Sequence, residues 1–212
     1  MSKYRLAVFD WNGTLLNDLS LVYASVQKIF RVYKLTPPTL EQYCNEISAD
    51  FMQFYWSHGM PQYVTKDDLN KIRQDFFTLH WNNVFLNNDV YAILGFIIGR
   101  GLNISITSGE ESSVLEERMK QFSLKPLFDL VRGSAWNKEV VLKETLQYFN
   151  ILPSEAVYID DTFDGITAAK NVGMDTIGFT GGYNSRERIL VANPNFIIDS
   201  LDEIIRLSIF NS

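Results

Sequence analysis

The chain has 212 residues, a formal net charge of −6 and 46% hydrophobic residues, which is typical of a folded α/β protein of one domain with or without a small insertion. The acidic balance and the lack of a basic tract argue against nucleic acid or an anionic membrane as the main partner. Cys44 is the single cysteine, which excludes an intrachain disulfide. The longest apolar stretch, residues 90–98, is too short to span a bilayer. We therefore expect a cytoplasmic protein.

The first part of the chain predicts one strand followed by a long helical stretch. Residues 5–9 are apolar after the first position, as expected of a central strand covered on both faces. Residues 16–86 show apolar positions at helical spacing and no convincing strand. Thr39 with Gln42 resembles a capping box, and Thr65 fits the N-cap of a further helix.

After residue 87 the pattern alternates between helices and strands. Predicted helices cover residues 90–100, 110–122, 139–149, 163–171 and 185–191, and a last helix is capped by Ser200 with Glu203. Predicted strands cover residues 103–107, 129–132, 156–159, 176–179 and 196–198. This alternation predicts a doubly wound parallel sheet with helices on both faces. Because the helical stretch follows the first strand, we expect it to form a lid over that strand's carboxyl end, where such folds bind ligands.

Three polar clusters follow predicted buried strands, at residues 10–14, 107–109 and 160–162. Because the carboxyl ends of parallel strands can meet at one crevice, we expect the three clusters to converge there. Lys138 begins the helix before the third cluster and is within reach of the same place.

The side chains in these clusters suit phosphoryl transfer. Asp10 and Asp161 offer the hard oxygen ligands that Mg²⁺ prefers, and Thr107 and Ser108 can donate hydrogen bonds to phosphate oxygens. Lys138 adds a positive charge that neutralises phosphate and keeps nearby carboxylates ionised. A carboxylate nucleophile is an established option for this chemistry. Each residue alone is more typical of a turn, a helix cap or a solvated surface, so the prediction depends on the whole set.

These motifs resemble, in order and over nearly the full length, those of the haloacid dehalogenase-like (HAD) hydrolases. Residues 9–15, Phe-Asp-Trp-Asn-Gly-Thr-Leu, resemble the first motif, whose usual form is Asp-x-Asp-Gly-Thr. Residues 104–108 resemble the second motif, and residues 158–162 resemble the fourth. Lys138 resembles the third-motif lysine, with Lys143 as the alternative.

The resemblance implies a Rossmann-like core of residues 1–15 and 87–212 and a helical cap of the C1 type at residues 16–86. The tail at residues 181–188 is similar to the phosphoglycolate-phosphatase-like branch of the family. The implied activity is Mg²⁺-dependent hydrolysis of a small phosphorylated metabolite, with neither nucleic acid nor membrane as a partner.

The resemblance also implies a role for each motif residue. Asp10 is the implied nucleophile, which forms an aspartyl-phosphate, and it is also a metal ligand. The backbone carbonyl of Asn12 and the carboxylate of Asp161 complete the protein side of the implied Mg²⁺ site, and Asp160 lies beside it. Trp11, next to the nucleophile, is a candidate contact for the leaving group of the substrate.

Two positions depart from the family pattern. The family's second Asp, the general acid/base, is Asn12 here, and an amide cannot exchange a proton as a carboxylic acid does. Since acid/base catalysis is typically worth about 10²–10⁴ in rate, we predict slow turnover of alkyl phosphates. Position 165, sometimes acidic in relatives, is Gly165, which shifts the metal-binding role to Asp160 and Asp161.

Three hypotheses follow from the sequence: a slow or specialised phosphatase that favours good leaving groups, a non-hydrolytic module that binds a phosphorylated ligand or a partner protein, and a hydrolase of C–halogen or C–P bonds. Within the predicted cap, residues 51–60 are rich in aromatic residues and predict packing inside the cap. The alternative is a surface facing the substrate, on which His58 touches it.

Overall fold

A six-stranded parallel sheet lies at the centre of the computed structural model, which describes residues 3–81 and 84–210. Residues 82 and 83 of the predicted cap lie outside these ranges. The strands are β1 Leu6–Phe9, β2 Leu16–Asn17, β3 Phe85–Leu86, β4 Asn103–Thr107, β5 Leu130–Arg132, β6 Ala156–Asp160, β7 Asp175–Phe179 and β8 Phe196–Ile198. The helices are α1 Leu19–Val32, α2 Leu40–Glu46, α3 Phe51–Ser57, α4 Lys66–His80, α5 Val90–Gly99, α6 Ser112–Gln121, α7 Lys138–Phe149, α8 Phe163–Val172, α9 Arg186–Val191 and α10 Glu203–Arg206.

The strand order in the main sheet is β5-β4-β1-β6-β7-β8, and every neighbouring pair is parallel. The chain starts in the middle, builds outward through β4 and β5, and then returns to the other side of β1 with β6. This reversal makes the carboxyl end of β1 the topological switch point, where ligands bind in doubly wound folds.

Helices cover both faces of the sheet because successive strand residues point to opposite sides. Ala7 and Phe9 of β1 pack into a hydrophobic cluster with residues of α5 and α6. Leu6 and Val8 pack on the other face with residues of α7 and α8. The predicted doubly wound α/β core is therefore confirmed.

Four helices, α1 to α4, lie between β2 and β3 and form what we call the helical insertion. They share a separate hydrophobic cluster centred on Phe30 and Tyr55, whose rings stack at 5.5 Å between centroids. The capping box of Thr39 with Gln42 begins α2, and Thr65 caps α4 as predicted. Across the parts of the chain that the structure describes, no helix is both long and apolar enough to cross a bilayer.

Two local predictions were wrong. Leu16–Asn17 and Phe85–Leu86 pair as short antiparallel strands, although residues 16–86 showed no strand pattern. Two residues are too few to show the alternation that marks a strand. At the other end, α10 begins after Asp202 rather than Ser200, and the Glu203 carboxylate accepts hydrogen bonds from the backbone and hydroxyl of Ser200.

Candidate active site

The three predicted polar clusters meet at the carboxyl edge of the sheet. Phe9 at the end of β1 pairs with Ile106 of β4 and with Ile159 of β6. The next residue on each strand is therefore level with the others, and these residues are Asp10, Thr107 and Asp160. All three are buried, with exposed fractions of 5% or less.

Lys138, the first residue of α7, joins two of the acidic residues. Its Nζ donates to Asp10 Oδ1 over 2.7 Å and to Asp160 Oδ2 over 2.6 Å. These two carboxylates raise the pKa of Lys138 well above its usual range against the opposing effect of burial, so the ammonium stays charged. Lys143, the alternative candidate for the third-motif lysine, lies elsewhere. It lines a depression together with Arg5, which precedes β1 at the amino edge of the sheet.

The acidic cluster carries more negative charge than Lys138 can balance. One carboxylate oxygen from each of Asp10, Asp160 and Asp161 lies within 4.8 Å of the others. Burial raises the pKa of Asp10 to about 7, with Lys138 lowering it and Asp160 raising it, and burial with its acidic neighbours raises the pKa of Asp161 as well. Hard oxygen donors converging in a buried site fit Mg²⁺, which would relieve this repulsion.

The oxygens of Asp160 and Asp10 differ in how many hydrogen bonds they already accept. Asp160 is saturated: Oδ1 accepts from the backbone and hydroxyl of Thr162, and Oδ2 accepts from Lys138 and Tyr158. Asp10 Oδ1 is held by Lys138, whereas Oδ2 accepts no hydrogen bond from the residues that the structure describes. Asp10 therefore keeps one oxygen available, and Asp160 is suited to orienting Lys138.

Three glycines, Gly13, Gly165 and Gly182, allow the backbone to approach the carboxylates closely. Gly13 has φ +80°, and a Cβ atom there would lie 2.2 Å from Asp161 Oδ2. At Gly165 a Cβ would lie 1.9 Å from Asp160 Oδ2. The Asp160 carboxylate therefore occupies the space that a side chain at position 165 would fill.

Asn12 lies between two acidic side chains that the sequence reasoning missed. Its Nδ2 donates to Asp18 Oδ2 over 2.9 Å and to Glu110 Oε2 over 3.3 Å. Asp18 is buried, which raises its pKa to about 6, although hydrogen bonds from Asn12, Tyr183 and Gly13 lower it. An Asp just before a helix is usually read as a cap, so nothing in the local sequence pointed to this contact.

Two hydroxyls lie beside the acidic cluster. The Thr107 hydroxyl is fully buried and has no hydrogen-bond partner among the described residues. The Ser108 hydroxyl donates weakly to Asn12 Oδ1 at 3.4 Å and accepts from the backbone of Glu110 at 3.0 Å. A buried hydroxyl without a partner is costly, and a phosphate oxygen would supply the missing acceptor.

The two other predicted contacts, Trp11 and His58, have the following surroundings. Trp11 is completely buried within the main hydrophobic cluster, because it is adjacent to Asp10 in sequence but packs away into the core. Its contact with the leaving group stays a prediction. His58 lies against the Phe54 ring and forms a 2.7 Å contact with Glu46, both within the helical insertion.

Asn184 connects the acidic loop to the helical insertion. Its backbone N donates to the carbonyl of Asp161 over 3.2 Å, and its side-chain Oδ1 accepts from the backbone of Phe163 over 2.7 Å. The side-chain amide also donates to the carbonyls of Cys44 and Ile47, which end α2. The insertion is thus bound to the loop that carries the acidic pair.

Known proteins are similar to this chain both in sequence and in fold. A family model described as haloacid dehalogenase-like hydrolase matches residues 7–179. A phosphoglycolate phosphatase of Vibrio parahaemolyticus is 30% identical over 218 residues, covering 96% of this chain and 95% of that protein. A crystal structure of a predicted phosphoglycolate phosphatase from Haemophilus somnus superposes with a TM-score of 0.79 at 19% identity, covering 98% of this chain and 99% of that one.

A predicted phosphatase from Clostridium acetobutylicum is similar in fold as well, with a TM-score of 0.79 at 20% identity and coverage of 96% of this chain and 97% of that one. The sequence match extends over both the sheet and the helical insertion. The chain belongs to the haloacid dehalogenase-like hydrolase family.

Proposed function

We propose that this protein is a Mg²⁺-dependent phosphatase that hydrolyses a small phosphate monoester through an aspartyl-phosphate on Asp10. The observation that supports this most is the Lys138 bridge between Asp10 and Asp160, with Asp161 beside them in a buried cluster. Relatives named as phosphoglycolate phosphatases support a small phosphorylated substrate.

The proposed metal site consists of the Asp10 and Asp161 carboxylates and the backbone carbonyl of Asn12, with Asp160 beside them. When bound, Mg²⁺ supplies the positive charge that offsets the carboxylates and the substrate phosphate. Lys138 holds Asp10 Oδ1 and contributes the second positive charge near the phosphate. Nothing in this assignment depends on the side chain of Asn12, so metal binding should survive its departure from the family pattern.

The proposed reaction has two displacements at phosphorus. Asp10 Oδ2 attacks the phosphorus atom, the ester P–O bond breaks, and its electron pair leaves with the substrate oxygen, which takes a proton from water. Thr107 and Ser108 donate hydrogen bonds to phosphate oxygens. Water then attacks the phosphorus of the aspartyl-phosphate, and the electron pair of the breaking bond returns to the Asp10 carboxylate. The attacking water gives one proton to the hydroxide left by the first step, and inorganic phosphate is released.

We also propose that residues 1–15 and 87–212 form the core and that residues 16–86 act as a cap over the crevice. The hydrogen bonds from Asn184 to the end of α2 support this arrangement. A cap that closes over the site would exclude water during transfer.

The surroundings of Asn12 favour slow turnover. Its amide cannot give up a proton to a leaving group, and both of its hydrogens are already donated to Asp18 and Glu110. This same observation favours a second candidate, a module that binds a phosphorylated ligand without turning it over. The lysines of the insertion, at positions 28, 34, 66 and 71, are all exposed, which gives no support to C–P cleavage by a lysine of the cap.

A direct test measures Mg²⁺-dependent hydrolysis of p-nitrophenyl phosphate, beside Asp10→Asn as the inactive control. We expect wild-type activity that a chelator abolishes, and a loss of at least about 10³-fold in Asp10→Asn. Persistent activity in that variant would contradict the covalent mechanism. A beryllofluoride adduct at Asp10 with no turnover of any phosphate ester would favour the binding module instead.

A further inference from the structure

We propose that Asn184 is a positioning residue that couples the Asp161 metal site to docking of the helical insertion, so that Mg²⁺ binds more tightly when the insertion is docked. The inference rests on the proposed function, because it takes Asp161 as a metal ligand. It gives a role to residues 182–188, which follow β7 and take no part in the proposed reaction. We call these residues the coupling segment.

The coupling segment lies directly against Asp161, which is completely buried. The backbone N of Tyr183 donates to Asp161 Oδ2 over 2.6 Å, and the backbone N of Asn184 donates to the carbonyl of Asp161 over 3.2 Å. A Cβ atom at Gly182 would lie 2.1 Å from the same Oδ2, so the backbone there packs on the carboxylate itself. A shift of the coupling segment therefore moves or releases a proposed metal ligand.

The same segment completes the C-terminal end of α2 in the helical insertion. The last carbonyls of a helix have no partner within the helix and need donors from elsewhere. Three core residues supply such donors, and these are Asn184, Ser185 and Arg188. They donate over 3.0–3.3 Å to the carbonyls of Cys44, Asn45 and Ile47. Docking of the insertion on the core thus provides the partners that the end of α2 lacks.

Asn184 takes part in both sets of contacts and is only 2% exposed. Its Nδ2 donates to two carbonyls of the insertion, while its Oδ1 accepts from the backbone of Phe163, two residues after Asp161, over 2.7 Å. The amide uses both hydrogens and its oxygen, which neither a carboxylate nor an apolar side chain of the same size can do. Because loss of one partner in a buried polar network leaves the others unsatisfied, docking and the conformation of the Asp161 loop depend on each other.

Coupling between two sites is reciprocal, so Mg²⁺ at Asp161 must favour docking by the same factor by which docking favours Mg²⁺. Two backbone amides report docking directly. The N of Ser185 donates to the carbonyl of Cys44 over 3.0 Å, and the N of Ala49 in the insertion donates to Asp164 Oδ2 over 2.7 Å. Both amides should exchange their hydrogen more slowly in the docked state, because exchange requires these hydrogen bonds to open.

Two variants separate coupling from a local effect on the loop. Asn184→Ala removes the side-chain contacts on both sides. Arg188→Ala removes the contact with the carbonyl of Asn45, and leaves in place the hydrogen bonds that the coupling segment makes to the metal site. Loss of a positive charge at position 188 would by itself favour Mg²⁺, so weaker binding in this variant would point to docking. Arg186→Ala is the matched control, since Arg186 lies in the same helix but binds Asp199 of the core.

The test combines calorimetric titration with Mg²⁺ and hydrogen exchange measured by mass spectrometry, in Mg²⁺ and in chelator. The Kd for Mg²⁺ should rise about 5- to 50-fold in Asn184→Ala, in the usual range of coupling between sites. It should rise about 2- to 10-fold in Arg188→Ala, the value of one hydrogen bond, and stay at the wild-type value in Arg186→Ala. In wild-type protein, Mg²⁺ should slow exchange in the peptides that contain Ala49 and Ser185, and this effect should disappear in Asn184→Ala.

Weaker Mg²⁺ binding in Asn184→Ala with wild-type binding in Arg188→Ala would show a local effect on the loop and overturn the inference. Exchange in wild-type protein that does not respond to Mg²⁺ would overturn it too, and that measurement requires no variant to fold. If such a protein still binds Mg²⁺ and hydrolyses p-nitrophenyl phosphate, the proposed function stands without the coupling. Wild-type protein that binds no Mg²⁺ would instead contradict the proposed function, and the inference with it.

Discussion

The side-chain amide of Asn12 donates to the Asp18 carboxylate over 2.9 Å, at the position where the family usually carries its general acid/base. Glu110 accepts the second hydrogen of the same amide at 3.3 Å. An amide suits this place because it can donate to two acceptors at once, whereas an ionised carboxylate there would face two others. The two acceptors around position 12 therefore suit an asparagine better than the aspartate that the family usually carries there.

Asn12→Asp should restore a general acid to the site. We expect the kcat for an alkyl phosphate, such as 2-hydroxyethyl phosphate, to rise by about 10²- to 10⁴-fold, because its poor leaving group needs protonation. p-Nitrophenyl phosphate should gain much less, since its leaving group departs without an acid. Steady-state kinetics with both substrates check this, and an equal effect on the two would rule out the missing acid as the cause of slow turnover.

Asp18 should make the stability of the metal-free protein depend on pH. Burial raises its folded pKa from 3.8 to about 6, so between these values the folded state holds a proton that the unfolded chain has released. The contribution of Asp18 is therefore fully present below about pH 4 and is lost as pH rises to about 6, by on the order of 3 kcal/mol.

Urea unfolding of wild-type protein and Asp18→Asn in chelator, at several pH values from 4 to 7, measures this contribution. The variant should show a shallower fall in the free energy of unfolding over that window. Asp67→Asn, an exposed substitution on α4, serves as the control and should keep the wild-type slope. Identical slopes in wild-type protein and Asp18→Asn would mean that Asp18 ionises normally.

Magnesium should stabilise the folded protein through Asp161. A ligand at 100 times its Kd adds about 2.7 kcal/mol, which corresponds to a rise in Tm of roughly 5–10 °C for a chain of this size. Asp161→Asn should lose most of this rise. Asp89→Asn is the matched control, since Asp89 is exposed and has φ +65°, a conformation that Asn also tolerates. Thermal unfolding with Mg²⁺ and with chelator checks both, and an undiminished rise in Asp161→Asn would remove that residue from the metal site.

Gly165→Ala should disturb the site through Asp160. The new Cβ would lie 1.9 Å from Asp160 Oδ2, so the carboxylate must move away from Lys138. We expect a loss of about 1–3 kcal/mol of stability, as in other overpacked sites, together with lower activity. Gly95→Ala in α5 is the control, because a Cβ there meets nothing within 4 Å and should stabilise the helix by about 0.5–1 kcal/mol. Equal unfolding free energies for the two variants would contradict the close approach.

Much of the core was predictable because its signals are local. Buried parallel strands are continuous apolar runs, and the polar residues that follow them are forced to one edge of the sheet by the parallel order. Asp10, Thr107 and Asp160 lie level with one another for this reason. The capping box at Thr39 was equally readable, since both partners lie within four residues.

What could not be predicted depends on contacts between distant segments. Asp18 accepts a hydrogen bond from Tyr183, which is 165 residues away in the sequence. Asn184 donates to Cys44 near the end of α2, which is 140 residues away. No spacing pattern in the sequence predicts either contact. The burial of Trp11 in the core cluster was not evident either, because its place beside Asp10 in the sequence says nothing of the side to which its ring turns.

The short β2–β3 pair has a consequence for how this protein can be remodelled. Leu16 pairs with Leu86 and Asn17 with Phe85, so the chain leaves the sheet and returns to it through adjacent strands. Paired antiparallel residues lie only about 5 Å apart, so each doubling of the length of the segment that joins them adds only about 0.6 kcal/mol of loop-closure cost. The four helices therefore enter and leave the chain at neighbouring points, and a protein engineer could exchange them as one unit while keeping the strand order of the main sheet.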